Sequence, residues 1–349
     1  MTLTAFFSHL LFAIWLVALS FVITRIMLSN VRIMDVPNAR SSHEIATPKS
    51  GGISIVITFL IGTIVIFFVA DATMIRQDYF FAFVFTSVLI AAISLYDDVK
   101  NKRYLVKLGT QLVAVFIVLA AGLVIDEIKL PYLGLVPLGW LSYVVSFLWI
   151  VGLTNAFNFM DGLDGLMGGV AVIVSAFFCV ITFAEGSHFV YIASYTILAG
   201  TIGFLFFNFP PARIFMGDVG SAFLGFAFAV LAIIAARYDL SHTSFLVMPL
   251  LLFNVIYDTF FTFTRRLMRG DQVTAAHRTH LYQLFNRLGY SHRTVSLFHY
   301  GVCILQGVAA FWMINIPGAQ RMLVFVPFLA FQIIYTYVIL SRAKKAGLL

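Results

Sequence analysis

The chain has 349 residues, of which 61% are hydrophobic and only 11% charged, and its mean hydropathy is +0.99. A water-soluble globule cannot cover that much apolar surface, so the composition excludes a soluble enzyme or a soluble binding module and requires a lipid bilayer as partner. The formal net charge is +7, but its cations sit in loops between apolar runs, and no nucleic-acid partner is expected.

Eleven runs are long and apolar enough to read as membrane-crossing helices, at about residues 4–24, 53–70, 79–96, 104–124, 139–157, 167–184, 189–207, 219–236, 244–264, 294–314 and 322–341. The first is too long for a cleaved signal peptide and lacks a small-residue cleavage site, so it is expected to stay as a helix. The third ends in "LYDDVKNKRYLVKLGTQ". There Asp97 and Asp98 are adjacent, and two carboxylates repel unless a cation lies near them. Lys100, Lys102, Arg103 and Lys107 could supply it, as could a divalent metal; a solvated loop of mixed charge is the plainer reading. The longest connector on the other side, "DEIKLPYLGLVPLG", suggests a small hairpin.

Between the fifth and sixth runs stands "NAFNFMDGLDGLMGG". Asn155, Asn158, Asp161 and Asp164 recur every third residue. In a regular α-helix they would fan across half the circumference; in a broken or 3₁₀ segment they would stay on one side. The glycines make a broken backbone plausible. A helix cap alone does not need four oxygen-bearing side chains in a row. "FNFPPARIFMGDVGSAF" follows the seventh run, with Asp218 just ahead of the eighth, as a cap or as a ligand. The long loop "TRRLMRGDQVTAAHRTHLYQLFNRLGYSHRT" gathers arginines with His277, His280 and His292. A basic loop resting on anionic headgroups explains the arginines, but the His-Arg-x-His spacing also suits phosphate chemistry. No third Cys or His stands at zinc spacing, and Cys179 and Cys303 suggest neither a disulfide nor a thiolate site.

Of the 22 Lys and Arg, 18 fall in one set of loops. The positive-inside rule puts that set in the cytoplasm, with the N-terminus outside and the C-terminus inside. The expected architecture is one all-α polytopic domain over residues 1–349. Asp97, Asp98, Asp161, Asp164 and Asp218 then share the cytoplasmic face with the His/Arg loop. Carboxylates suit Mg²⁺ and cations suit phosphate. Both signs at one membrane face suggest a metal-bridged diphosphate meeting a lipid-borne phosphate. A transporter would place its charges nearer mid-span.

"DDVK", "NAFNFMDGLDGL", "NFPPARIFMGDVGS" and "HRTH", in this order, resemble the polyprenyl-phosphate N-acetylhexosamine-1-phosphate transferases. The likeness runs from "DVPNARSSHEIATPKSGG" to the histidine loop. It implies transfer of a sugar-1-phosphate from a UDP-N-acetylhexosamine to undecaprenyl phosphate in the bacterial inner membrane, with Mg²⁺ as cofactor and Mn²⁺ as a substitute. It leaves direct and double displacement open, direct attack being favoured, and it leaves room for a homodimer. By this resemblance Asp218 and Asp98 hold the metal. Asp97, Asp98, Asp161 and His280 form the catalytic set. Gly162, Leu163 and Asp164 contact the uridine, Asn208 and Phe215 belong to the nucleotide pocket, and Lys49, Lys107, Asn155, Asn158 and Arg278 bind substrate. The chain departs from the family at "HLYQ", where later histidines are replaced by Tyr282 and Gln283. That departure favours an O-antigen or related surface-polysaccharide branch over peptidoglycan synthesis, and Tyr282 and Gln283 are expected to shape the sugar pocket.

Overall fold

The structure is a computed structural model that describes residues 3–31, 33–37, 45–69, 75–100, 104–130, 134–272 and 277–349, without the side chains of 3–6, 104–107 and 129–130. Each apolar run forms helix. In chain order these are α1 (Leu3–Asn30), α2 (Gly52–Val69), α3 (Gln77–Lys100), α4 (Tyr104–Ala120), α5 (Leu141–Met160), α6 (Leu166–Ala184), α7 (Val190–Asn208) and α8 (Gly217–Ile233). They continue with α9 (Val247–Leu251), α10 (Phe253–Met268), α11 (Leu281–Arg287), α12 (His292–Met313) and α13 (Phe325–Lys345). Among the described residues nine helical stretches are long and apolar enough to cross a bilayer. The chain is an all-α polytopic membrane protein.

The two remaining runs are the fourth, carried by α4, and the ninth. The ninth is not one helix, as expected, but α9 and α10 joined at Leu252. A helix break among apolar neighbours strands backbone groups unless side chains reach them. Here α12 supplies them. His299 Nδ1 lies 3.1 Å from Asn254 Nδ2. Gln306, in the amide orientation that satisfies its neighbours, donates to Leu251 O and Asn254 Oδ1 and accepts from Asn254 N–H.

Helix α8 is the axis of the bundle. Every residue from Val219 to Ile233 is buried, and α2, α3 and α5 pack around it. Small residues let the backbones approach, as membrane interiors favour; an added Cβ on Gly225 would stand 2.7 Å from Leu153 O of α5. In contrast, α1 and α13 are mostly uncovered and present apolar side chains outward, as a lipid-facing rim must. Two short antiparallel ribbons complete the fold. One pairs β1 (Met34–Asp35) with β2 (Thr47–Pro48). The other pairs β3 (Glu127–Leu130) with β4 (Gly134–Pro137) and is the hairpin expected in "DEIKLPYLGLVPLG".

The two ends of the bundle differ in chemistry. At the β3–β4 end Arg237 pairs with Asp126 at 3.0 Å and with Glu127 at 3.5 Å, and Asp239 Oδ1 accepts from Phe189 N–H at 3.1 Å. The ends of α3, α5 and α7 and the beginnings of α2, α6, α8 and α12 meet at the opposite end, which carries the acidic and histidine motifs.

Candidate active site

The site is built around the start of α8. Pro48 O accepts from Phe215 N–H at 2.7 Å, Phe215 O from Gly51 N–H at 3.0 Å, and Met216 O from Gly52 N–H at 2.9 Å. These bonds knit the segment after β2 to the loop that enters α8. Gly217 has φ +68°, and a Cβ there would lie 2.8 Å from Asp98 Oδ2. Only glycine allows both the left-handed turn and the approach of that carboxylate.

Asp98 stands in the last turn of α3 and is buried. Its Oδ2 accepts from Val219 N–H at 3.2 Å, filling an open donor at the N-terminus of α8. Its Oδ1 lies 3.4 Å from Lys49 Nζ. A cation beside Asp98 is therefore Lys49, from a loop far away in sequence. Asp97 is half-buried on the neighbouring face of the same turn. Asp218 stands on α8 next to this carboxylate, and its Oδ1 accepts from Asn158 Nδ2 at 2.9 Å; Asn158 also donates to Ser221 Oγ at 2.8 Å.

The every-third series resolves into neither simple alternative. Asn155 and Asn158 lie in α5; Asp161 is the first residue beyond it, and Gly165, with φ +71°, opens α6. Asn155 reaches sideways to Gln111 of α4 at 2.9 Å. Asp161 remains with the acid cluster. Its carboxyl is pushed up to about 8, by removal from water first and then by Asp218, Asp98 and Asp164.

Asp164 turns toward α12. It accepts from Ala212 N–H at 3.0 Å and pairs with His292 Nδ1 at 3.1 Å. Asn208 is buried, and both ends of its amide serve the chain: it accepts from Gly165 N–H at 3.1 Å and donates to Ile214 O at 2.9 Å. Leu163 is buried and Phe215 is half-buried. These residues, matched by resemblance to the uridine site, thus also clamp the two loops that would form it. The side chain of Lys107, together with Lys102 and Arg103, lies outside the described residues.

The histidine loop joins the site through α11. His280 precedes this helix, buried, with its ring stacked 5.0 Å from that of His277. Tyr282 is fully buried, and its hydroxyl donates to Phe159 O at 2.9 Å against Gly162. Gln283 caps the helix by accepting from His280 N–H at 3.3 Å. The two residues expected in a sugar pocket therefore pack the loop: one is sealed from any pocket, and the amide oxygen of the other is spent on a cap. Arg278 is half-buried, and its Nε has no hydrogen-bond partner among the described residues. Sequence reasoning missed Asp258, whose buried carboxylate receives His280 Nδ1 at 3.1 Å. The signal was present: one acid inside an apolar run. It also missed the role of Gln111, the last residue of "LYDDVKNKRYLVKLGTQ", as the partner of Asn155.

The donor set bears on a metal. Among the described residues no three Asp, Glu, His or Cys side chains converge as a preformed cage. The charges of Asp98 and Asp218 repel one another, and the Lys49 ammonium beside Asp98 neutralises only part of that charge. Two carboxylates at the start of α8 fit Mg²⁺, which takes one or two carboxylates and fills its shell with water and substrate phosphate oxygens.

Comparison with known proteins identifies the family of the chain. The sequence profile of glycosyl transferase family 4 matches residues 80–236, which hold every acid of the cluster. A probable undecaprenyl-phosphate N-acetylglucosaminyl 1-phosphate transferase of Bacillus subtilis (strain 168) is 32% identical over 279 residues, 79% of this chain and 76% of the relative. An undecaprenyl-phosphate alpha-N-acetylglucosaminyl 1-phosphate transferase of Thermotoga maritima is 28% identical over 95% of this chain and 98% of its own length. A phospho-N-acetylmuramoyl-pentapeptide-transferase of Latilactobacillus sakei is 42% identical, but over 110 residues, 34% of its length. The chain belongs to the polyprenyl-phosphate N-acetylhexosamine-1-phosphate transferases, glycosyl transferase family 4.

Proposed function

We propose that this protein transfers N-acetylhexosamine-1-phosphate from a UDP-sugar to undecaprenyl phosphate at the cytoplasmic face of the bacterial inner membrane, giving undecaprenyl-diphospho-sugar and UMP. The pathway we assign is a surface polysaccharide of the O-antigen kind or a related envelope polymer, for which this is the first membrane step. The observation that carries the reading is the meeting of Lys49, Asp98, Asn158, Asp161 and Asp218 around the ends of α3, α5 and α8. The names of the Bacillus and Thermotoga relatives put UDP-N-acetylglucosamine first among the donors.

Phosphoryl transfer needs positioning and charge neutralisation more than covalent help from protein. Asp218, held by Asn158, and Asp98, held by Val219 N–H, would hold Mg²⁺. When bound, the ion neutralises diphosphate oxygens and the charge that develops on the leaving UMP. Lys49 adds a cation beside Asp98. An oxygen of the lipid phosphate attacks the phosphorus that carries the sugar; the P–O bond to the uridine phosphate breaks, and its electrons leave with UMP. The attacking monoester is already anionic, so no strong base is required. In this reading Asp97 and Asp161 orient and repel rather than form a covalent intermediate, and His280 and Arg278 meet phosphate charge.

The test is to incubate the purified protein with undecaprenyl phosphate, Mg²⁺ and separate UDP-sugars, and to read lipid product by mass spectrometry and UMP release in parallel. A diphospho-sugar lipid with equimolar UMP is expected from at least one UDP-N-acetylhexosamine. Movement of substrate across vesicles with no new lipid would point to a transporter instead.

A further inference from the structure

Asp258 lies in α10, is 2% exposed, and is surrounded by donors. Its Oδ1 accepts from His280 Nδ1 at 3.1 Å, Leu281 N–H at 2.9 Å and Thr262 Oγ1 at 3.1 Å, and its Oδ2 from Tyr282 N–H at 3.0 Å. A buried carboxylate is costly unless it is satisfied in this way. The two backbone N–H groups are open donors of the first turn of α11, so a residue of another helix acts as its cap. The side chain of the N-cap residue itself ordinarily fills that role. A carboxylate adds an anion against one nitrogen of an imidazole. It fixes the Nδ1–H tautomer and the plane of the ring. It leaves Nε2 as the nitrogen a ligand can meet.

We propose that Asp258 is a positioning residue for the transfer reaction, holding His280 by Nδ1 so that Nε2 is presented to the phosphates of the donor. This rests on the function proposed above. The same carboxylate ties the imidazole to the acid cluster. It holds Tyr282 by the backbone, Tyr282 holds Phe159 O, and Asp161 follows two residues later. Shortening or neutralising Asp258 therefore changes where the ring stands relative to Asp161, without touching substrate itself.

The test compares Asp258→Asn, His280→Ala and the double variant in the lipid-product assay, with thermal unfolding in detergent as control. Asp258→Asn should lower kcat about tenfold or more and leave KM for the UDP-sugar within about twofold, the pattern of a group that aligns a general acid or charge partner. In the double variant kcat should match that of His280→Ala within about threefold, because the carboxylate then has no ring to hold. Losses that multiply would overturn the proposal and leave Asp258 as a helix cap only. Should Asp258→Asn fail to fold, Asp258→Glu replaces it. Glutamate keeps the charge and displaces the ring, so it should lower kcat with His280 present and not in the His280→Ala background; an equal loss in both backgrounds would overturn the proposal. A wild type that forms no lipid product from any donor overturns the function as well, whereas product formation with multiplying losses overturns only the positioning role.

Discussion

Asp161 illustrates how far a single residue reads out the state of the site. Its carboxyl is raised to about 8 by removal from water and by Asp218, Asp98 and Asp164. The folded chain thus holds a proton there that the unfolded chain releases near the ordinary carboxylate value, about 4. Between about pH 4 and pH 8 the folded state binds more protons, and its stability falls as pH rises through that window. Without divalent cation, the melting temperature of wild type in detergent should therefore decline from pH 5 to pH 8.5 more steeply than that of Asp161→Asn; parallel curves would refute the electrostatic reading. Asp218→Ala should fold and yet lose roughly a hundredfold or more in turnover, about 3 kcal/mol of transition-state stabilisation, and EDTA should silence the native protein. Near-native turnover of that variant in saturating Mg²⁺ would remove Asp218 from the metal. Asp98, Asp161 and Asp218 were legible in the sequence because their chemistry is uncommon beside apolar runs. Their partners were not: Lys49 meets Asp98 through a ribbon, and His280 meets Asp258 across 22 residues. Spacing along a chain says nothing about such pairings.

At the scale of elements, the docking of α11 on the α5–α6 turn joins the two halves of the site. A Cβ on Gly162 would collide with the Tyr282 hydroxyl, which is bonded to Phe159 O. Gly162→Ala should therefore displace α11, costing about 1–3 kcal/mol of stability by overpacking and at least tenfold in turnover. Adding Tyr282→Phe removes the clashing oxygen and should recover part of both losses, measured by thermal unfolding and by product formation; a second loss on top of the first would show that the contact is not the cause. All eleven helical runs could be read from apolarity alone, since backbone in lipid has few alternatives to helix. The break at Leu252 could not. It depends on His299 and Gln306 of α12, more than forty residues away, meeting Asn254. Tyr282 and Gln283 were misread for a related reason: a sequence gives the chemistry of a side chain but not which side of a loop is sealed.

At the scale of the whole molecule, the distribution of charge and the packing of the helices constrain each other. The alternation of helices that brings Lys49, Asp98, Asn158, Asp161 and Asp218 together places Arg237, Asp126, Glu127 and Asp239 at the other end of the bundle. In the sequence 18 of the 22 Lys and Arg fall in one set of loops, the set that holds the motifs of the first end, and the positive-inside rule predicts that this set faces the cytoplasm. The proposed nucleotide donor would be met on that face, so one labelling experiment tests the expected orientation and bears on the proposed function. The native thiols do not interfere with a labelling test, because Cys179 and Cys303 lie within α6 and α12, away from the helix ends that a charged reagent can reach. Single cysteines at Asp271 and Gly289 should be protected from a membrane-impermeant maleimide in intact cells and react after permeabilisation. Cysteines at Gly186 and Leu240 should react in both conditions. Labelling of Asp271→Cys in intact cells, with Gly186→Cys protected, would invert the molecule and put the acid cluster on the side of the membrane where no UDP-sugar is supplied.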